Sequence, residues 1–95
     1  TGLNEAVNIT ATTTVTITEA TIIDNATNSG SNVYNITDSA AAIAGSSDTF
    51  ILKAGTVIAN TSANKAEANT IGGYTKAVTY SISDTATNVA AIIWK

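Results

Sequence analysis

The chain has 95 residues, of which 44% are hydrophobic and 12% charged, and its formal net charge is −3. At this length it is predicted to form one domain, residues 1–95. Cysteine and histidine are absent and four lysines supply all the positive charge, which excludes disulfides and thiolate or imidazole metal sites and argues against nucleic-acid binding.

The first predicted element is a strand over residues 10–18, where threonine occupies every second position. Ile9, Val15 and Ile17 lie on the opposite face and are predicted to point inward. A half-buried strand with a solvated threonine face is the favoured interpretation. Ice binding by the threonine row is a minor alternative, because the second half of the chain interrupts the row.

Two twelve-residue segments, YNITDSAAAIAG (34–45) and YSISDTATNVAA (80–91), are nearly the same. In each segment, apolar and polar residues alternate at the start, which predicts a short strand. Apolar residues at helical spacing follow, which predicts a helix after the strand. Asp38 and Asp84 stand between the two elements. They are predicted to cap these helices by accepting hydrogen bonds from the first helical amides.

The repetition extends beyond these two segments. Residues 6–20 align with residues 54–68 at an offset of 48, whereas the twelve-residue segments are 46 positions apart. We therefore predict an internal duplication, approximately 6–53 and 54–95, in which each half contains two strand–helix coils. The predicted fold class is mainly β with short helical turns, a solenoid-like tandem repeat. A small β-sandwich is the alternative.

The motif Y-x-I-x-D-[ST]-A, preceded in the first half by E-A-x-x-I-x-x-A-T-N-S-G, resembles a tandem module of large secreted bacterial surface proteins. These are described as β-strand repeat or adhesin-like proteins. The matching residues are 19–30, 34–44 and 67–91. The resemblance implies a passive extracellular role without catalytic residues. Lys65 departs from it, because Ile17 stands at that place in the first half.

Four Asn-x-Ser/Thr sequences mark candidate sites for covalent glycans. They begin at Asn8, Asn25, Asn35 and Asn60. Asn25 and Asn60 are the better candidates, because Asn8 and Asn35 lie in predicted strands.

No catalytic or metal-binding constellation is present in the sequence. The serines have no histidine partner, and the carboxylates are dispersed rather than gathered in a calcium-binding loop. We expect no enzyme activity and no cofactor. The abundance of threonine, asparagine and serine favours a secreted or cell-surface protein, and no apolar run is long enough for membrane insertion.

The end coils of such a repeat would expose apolar side chains and unpaired main-chain groups. The residues predicted at these assembly ends are Val7, Ile9, Val15, Ile17, Val89, Ile92, Ile93 and Trp94. We expect an extracellular structural protein that polymerises with copies of itself into a filament or layer, either by end-to-end stacking or by donation of the strand at 1–14. The alternative is an adhesin-type module that presents Tyr34, Tyr74 or Tyr80 to glycans or surfaces.

Overall fold

The computed structural model describes residues 2–92, in which short strands alternate with short helices. In chain order the elements are α1 (Gly2–Glu5), β1 (Ile9–Thr10), α2 (Ile17–Asp24), β2 (Asn32–Val33), β3 (Ile36–Asp38), α3 (Ala40–Ala44), α4 (Asp48–Leu52), β4 (Val57–Ala59), α5 (Lys65–Gly72) and α6 (Ala86–Ala90). Strand β1 pairs with β2 and strand β3 pairs with β4, both in parallel.

The predicted mainly β, solenoid-like fold class is wrong. The described residues are 38% helical and 15% strand, so the protein is a mixed α/β structure with two short two-stranded sheets. The β-sandwich alternative also fails for the described residues, because sheets with two or three residues per strand cannot form its two layers.

Capping boxes explain why helices replace the predicted strands. The Thr16 hydroxyl accepts a hydrogen bond from the Glu19 amide at 3.2 Å, and the Glu19 carboxylate accepts one from the Thr16 amide at 2.9 Å. Asn64 and Glu67 make the same reciprocal pair before α5. These bonds satisfy free amides of the first turn and start a helix at Ile17, inside the predicted strand over 10–18. The threonine row therefore does not form one strand face.

Four successive units, each an extended segment followed by a helix, make up the ladder of parallel pairs. We number them unit 1 (7–24), unit 2 (30–44), unit 3 (55–72) and unit 4 (76–90). Unit 1 pairs with unit 2 through β1 and β2, and unit 2 with unit 3 through β3 and β4. Single bridges at Ile58–Thr79 and Ala63–Ile82 join unit 3 to unit 4. The duplication at 6–53 and 54–95 stays a prediction.

The hydrophobic core lies in the middle of the ladder. All buried residues fall between Val15 and Tyr74, and among the described residues none is buried before or after that range. The largest fully buried side chains are Tyr34, Ile36, Ile43, Ile51, Ile71 and Val57. The molecule is elongated, with extents of 52 × 19 × 16 Å. The core thus holds the central units together and leaves the outer sides of units 1 and 4 uncovered.

Candidate functional site

Neighbouring units are joined by a side chain that accepts a hydrogen bond from the first amide of the preceding helix. The Asp38 carboxylate of unit 2 accepts from the Ile17 amide of α2 at 2.9 Å. The Thr61 hydroxyl of unit 3 accepts from the Ala40 amide of α3, also at 2.9 Å. The Asp84 carboxylate of unit 4 accepts from the Lys65 amide of α5 at 2.9 Å. One type of link therefore recurs at every junction between units.

The predicted capping role of Asp38 and Asp84 is wrong in position. The N-caps of α3 and α6 are Ser39 and Thr85, one residue later, whose hydroxyls accept from the third helical amide. Each aspartate instead satisfies the helix of the unit before it. The hydrogen bond from the Lys65 amide, with further bonds from Asn88 and Thr85, lowers the pKa of Asp84 because it stabilises the ionised carboxylate.

Asparagine side chains add a second link on the extended segments. The Asn8 carbonyl oxygen accepts from the Ser31 amide at 3.0 Å, and that of Asn35 accepts from the Thr56 amide at 2.9 Å. This link requires close approach of the next unit. A Cβ atom built on Gly55 would lie 2.5 Å from the Asn35 side-chain oxygen, so a larger residue there would displace the Asn35 side chain that makes this link.

The two copies of the twelve-residue motif differ in burial although their sequences match. Ile36 is fully buried in unit 2, whereas Ile82, at the same motif position in unit 4, is 41% exposed. Ile43 is likewise fully buried, and the corresponding Val89 is 43% exposed. Unit 2 has unit 3 on its far side, whereas among residues 2–92 no unit covers the far side of unit 4. The exposed surface is therefore the one that receives the next unit elsewhere in the ladder.

The motif copy in unit 2, the inner copy, makes three hydrogen bonds that the motif copy in unit 4, the outer copy, does not make within residues 2–92. The Tyr34 carbonyl accepts from Gly55, the Ile36 amide donates to the Thr56 carbonyl, and the Ala40 amide donates to Thr61. The corresponding groups of unit 4 are the Tyr80 carbonyl, the Ile82 amide and the Ala86 amide. Within residues 2–92 these three groups have no hydrogen-bond partner. They form an unpaired edge with the same polar pattern that unit 2 uses.

The predicted assembly-end residues are only partly brought to exposed surfaces. Val7 and Val89 are exposed; Ile9, Ile17 and Ile92 are half-buried, and Ile17 and Ile92 pack against the core. Val15 is buried and belongs to the core, because it pairs with Ile36. Ile93 and Trp94 lie outside the described residues. The exposed Leu3 was not among the predicted residues.

Two of the three tyrosines predicted to face a ligand are buried. The Tyr74 hydroxyl donates within reach of the Ile43 and Ser46 carbonyls, at 2.6 and 2.7 Å. The Tyr34 hydroxyl is buried without a hydrogen-bond partner among the described residues. Desolvation raises the pKa of both tyrosines, and the nearby carboxylates of Asp24 and Asp48 raise it further. Only Tyr80 remains partly accessible for a ligand.

The predicted glycan acceptors fall into two structural classes. Asn8 and Asn35 use their side-chain oxygens in the links between units. Asn25 and Asn60 are exposed outside the strands, Asn25 as the C-cap of α2. Asn8 is exposed as well, and neither Asn8 nor Asn35 lies in a strand, so the ground on which the sequence favoured Asn25 and Asn60 is wrong; glycosylation itself stays a prediction.

No protein-family model, curated protein or solved structure matches this chain. Over residues 2–92, no group of three or more His, Cys, Asp or Glu side chains is arranged to hold a metal ion. In the same range no helix is long and apolar enough to cross a membrane.

Proposed function

We propose that this protein is an extracellular structural subunit of a cell-surface filament or layer, in which one copy continues the ladder of units of the next. The observation that carries the proposal is the pair of motif copies. Side chains and main-chain groups that are covered in unit 2 by unit 3 are uncovered in unit 4. A second copy offers a unit of the same kind to cover them, and such a head-to-tail contact builds an open filament when the rotation between copies does not close a ring.

End-to-end continuation has better structural support than donation of the strand at 1–14. The Ile9 and Ala11 amides donate to the Ser31 and Val33 carbonyls, and Val15 pairs with unit 2. This segment is thus already bonded within its own chain on one side. Within residues 2–92 no strand pairs with its other side, which leaves an edge for stacking.

The energy of one junction is modest. Covering the remaining exposed two-fifths of Ile82 and Val89 contributes about 1 kcal/mol each, from about 1.5–3 kcal/mol for a whole aliphatic side chain. Association costs at least about 4 kcal/mol in lost freedom of motion. The three main-chain hydrogen bonds and the apolar residues of the partner must supply the rest. We therefore expect assembly that depends strongly on protein concentration.

Light scattering and electron microscopy of the 95-residue chain over a concentration series test this proposal. We expect a rising mean mass and linear particles whose axial repeat is no longer than the 52 Å length of the molecule. Ile82→Asp places a charge on the uncovered edge and should prevent assembly. Ile58→Asp is the matched control, because Ile58 is also 41% exposed but has neighbouring strands on both sides. A monomer at all concentrations, or equal effects of the two variants, would contradict the proposal.

A further inference from the structure

A groove beside unit 4 is the open counterpart of a space that is filled inside the molecule. It lies between the C-terminal part of α5 and the last extended segment, and it is lined by Ile71, Gly72, Tyr74, Lys76, Val78 and Tyr80. Its motif tyrosine, Tyr80, corresponds to Tyr34, and its α5 residues correspond to α2 at the offset of 48. The filled inner counterpart is therefore the space next to Tyr34 and the C-terminal part of α2.

Residues 51–55, which comprise the end of α4 and the link to unit 3, lie at that inner space. Ile51 and Ala54 are buried, and Lys53 forms an ion pair with Asp24 at 3.2 Å, at the end of α2. The Gly55 amide donates to the Tyr34 carbonyl at 2.9 Å. Along the chain, this segment thus supplies the apolar side chain of Ile51, the charge of Lys53 and the main-chain donor of Gly55.

The same segment type occurs once more, at residues 3–7. At the offset of 48, which relates 6–20 to 54–68, Val7 corresponds to Gly55, and extending the same offset to the residues before 6 places Leu3 at the position of Ile51. Both segments include the end of a short helix, α1 and α4. Ile51 is fully buried, whereas Leu3 is 39% exposed. Residues 3–7 therefore resemble residues 51–55, but no groove within residues 2–92 covers them as the inner space covers residues 51–55.

We propose that residues 3–7 of a second copy of this chain dock in the groove lined by Ile71, Gly72, Val78 and Tyr80. This proposal rests on the proposed function and names the contact that sets the direction and register of the assembly. In it, Leu3 covers the apolar lining as Ile51 does inside the molecule. The Val7 amide donates to the Tyr80 carbonyl, as Gly55 donates to Tyr34.

The differences between the inner and outer positions compensate one another. At the position of Lys53, the docking segment has Glu5. At the position of Asp24, the partner of Lys53 inside the molecule, the groove has Gly72. Lys76 lines the groove and carries the charge opposite to that of Glu5. Electrostatic complementarity of this kind favours the correct partner and orientation.

The second compensation concerns size. A Cβ atom at position 55 would meet the Asn35 side chain, so glycine leaves room for it there. At the outer position the smaller Ser81 replaces Asn35, so a valine at position 7 has room. The remaining open group also has a counterpart, because Thr13 corresponds to Thr61 and can accept from the Ala86 amide.

Disulfide trapping between two single-cysteine variants tests the docking, since the natural chain contains no cysteine. The Gly55 and Asn35 equivalents at the junction are Val7 and Ser81, so Val7→Cys on one copy and Ser81→Cys on another come within disulfide distance. We expect oxidation of the mixture to give about tenfold or more heterodimer than the control mixture of Val33→Cys with Ser81→Cys. Val33 is also exposed but lies on a unit that is already paired on both sides. Leu3→Asp added to the Val7→Cys chain should remove the excess.

The outcomes separate this inference from the proposed function. If the natural chain assembles but the two cysteine mixtures cross-link equally, another segment occupies the groove and the docking proposal is wrong, while the structural role stands. If the natural chain stays monomeric by light scattering, both proposals are wrong. Excess cross-linking that survives Leu3→Asp would show that Leu3 does not anchor the contact.

Discussion

The two buried tyrosines give a matched test of the packing. Tyr74→Phe removes a hydroxyl that lies 2.6 Å from the Ile43 carbonyl and 2.7 Å from the Ser46 carbonyl. Tyr34→Phe removes a buried hydroxyl without a partner in the described range. The ring is kept in both variants, so the apolar packing hardly changes. The difference between the variants therefore reports the hydrogen bonds alone.

The single hydroxyl proton of Tyr74 is shared between the two carbonyls and supplies about one net hydrogen bond of about 0.5–1.5 kcal/mol, so Tyr74→Phe should lower the free energy of unfolding by about 1 kcal/mol. For a domain of this size that shift corresponds to a Tm lower by about 4–8 °C. Tyr34→Phe should leave the stability unchanged or raise it by up to about 1 kcal/mol, since an unpaired buried hydroxyl is unfavourable. Thermal and urea unfolding followed by circular dichroism measure both values. Equal losses in the two variants, or a clear loss in Tyr34→Phe, would refute the reasoning.

Alkaline pH gives an independent check on the same residues. The pKa of Tyr34 and that of Tyr74 are both raised above the ordinary value of 10.0. Folding therefore favours the neutral phenol, and this contribution is complete below pH 10 and is lost as the pH rises through the folded pKa values. Stability should fall above that pH, and a double Tyr34→Phe, Tyr74→Phe variant should show a smaller fall in urea titrations.

Three further predictions concern the links between units. Asp38→Ala should lower the unfolding free energy by about 2–3 kcal/mol, because the Ile17 amide loses a charged acceptor, and Asp38→Asn should restore part of this in urea unfolding. Gly55→Ala should cost about 1–3 kcal/mol because its Cβ meets the Asn35 side chain; Gly2→Ala, with nothing within 4 Å, is the neutral control. Equal values for these two glycine variants would argue against the close approach. The lowered pKa of Asp84 means that its stabilising effect is present above the ordinary value of 3.8 and is lost as the pH falls through the folded value. An Asp84→Asn variant should therefore show a weaker loss of stability in acid, and an unchanged acid profile would contradict the link to Lys65.

The sequence predicted the alternation of short strands and short helices better than it predicted the proportions of helix and strand. The helix behind Asp38, with Ala40 and Ile43 on its buried face, is confirmed. The segment at 10–18 was assigned to a strand because β-branched residues favour strands. The capping box formed by Thr16 and Glu19 was the missed signal, since it starts a helix in spite of that preference.

Burial at the ends could not be predicted from the local pattern. The helical face of Val89 has the same spacing as that of Ile43, yet Val89 is exposed and Ile43 is buried. The spacing determines which side chains share a face, whereas a neighbouring unit determines whether that face is covered.

Amide hydrogen exchange at the outer edge of unit 4 measures the continuation of the ladder most directly. At low concentration the Ile82 and Ala86 amides should exchange rapidly, because both lack acceptors within residues 2–92. In assembled protein we predict slow exchange at these two positions, with little change at Thr79 and Ser83, which already donate to Val57 and Ala63. Assembled material in which Ile82 and Ala86 still exchange rapidly would contradict the account.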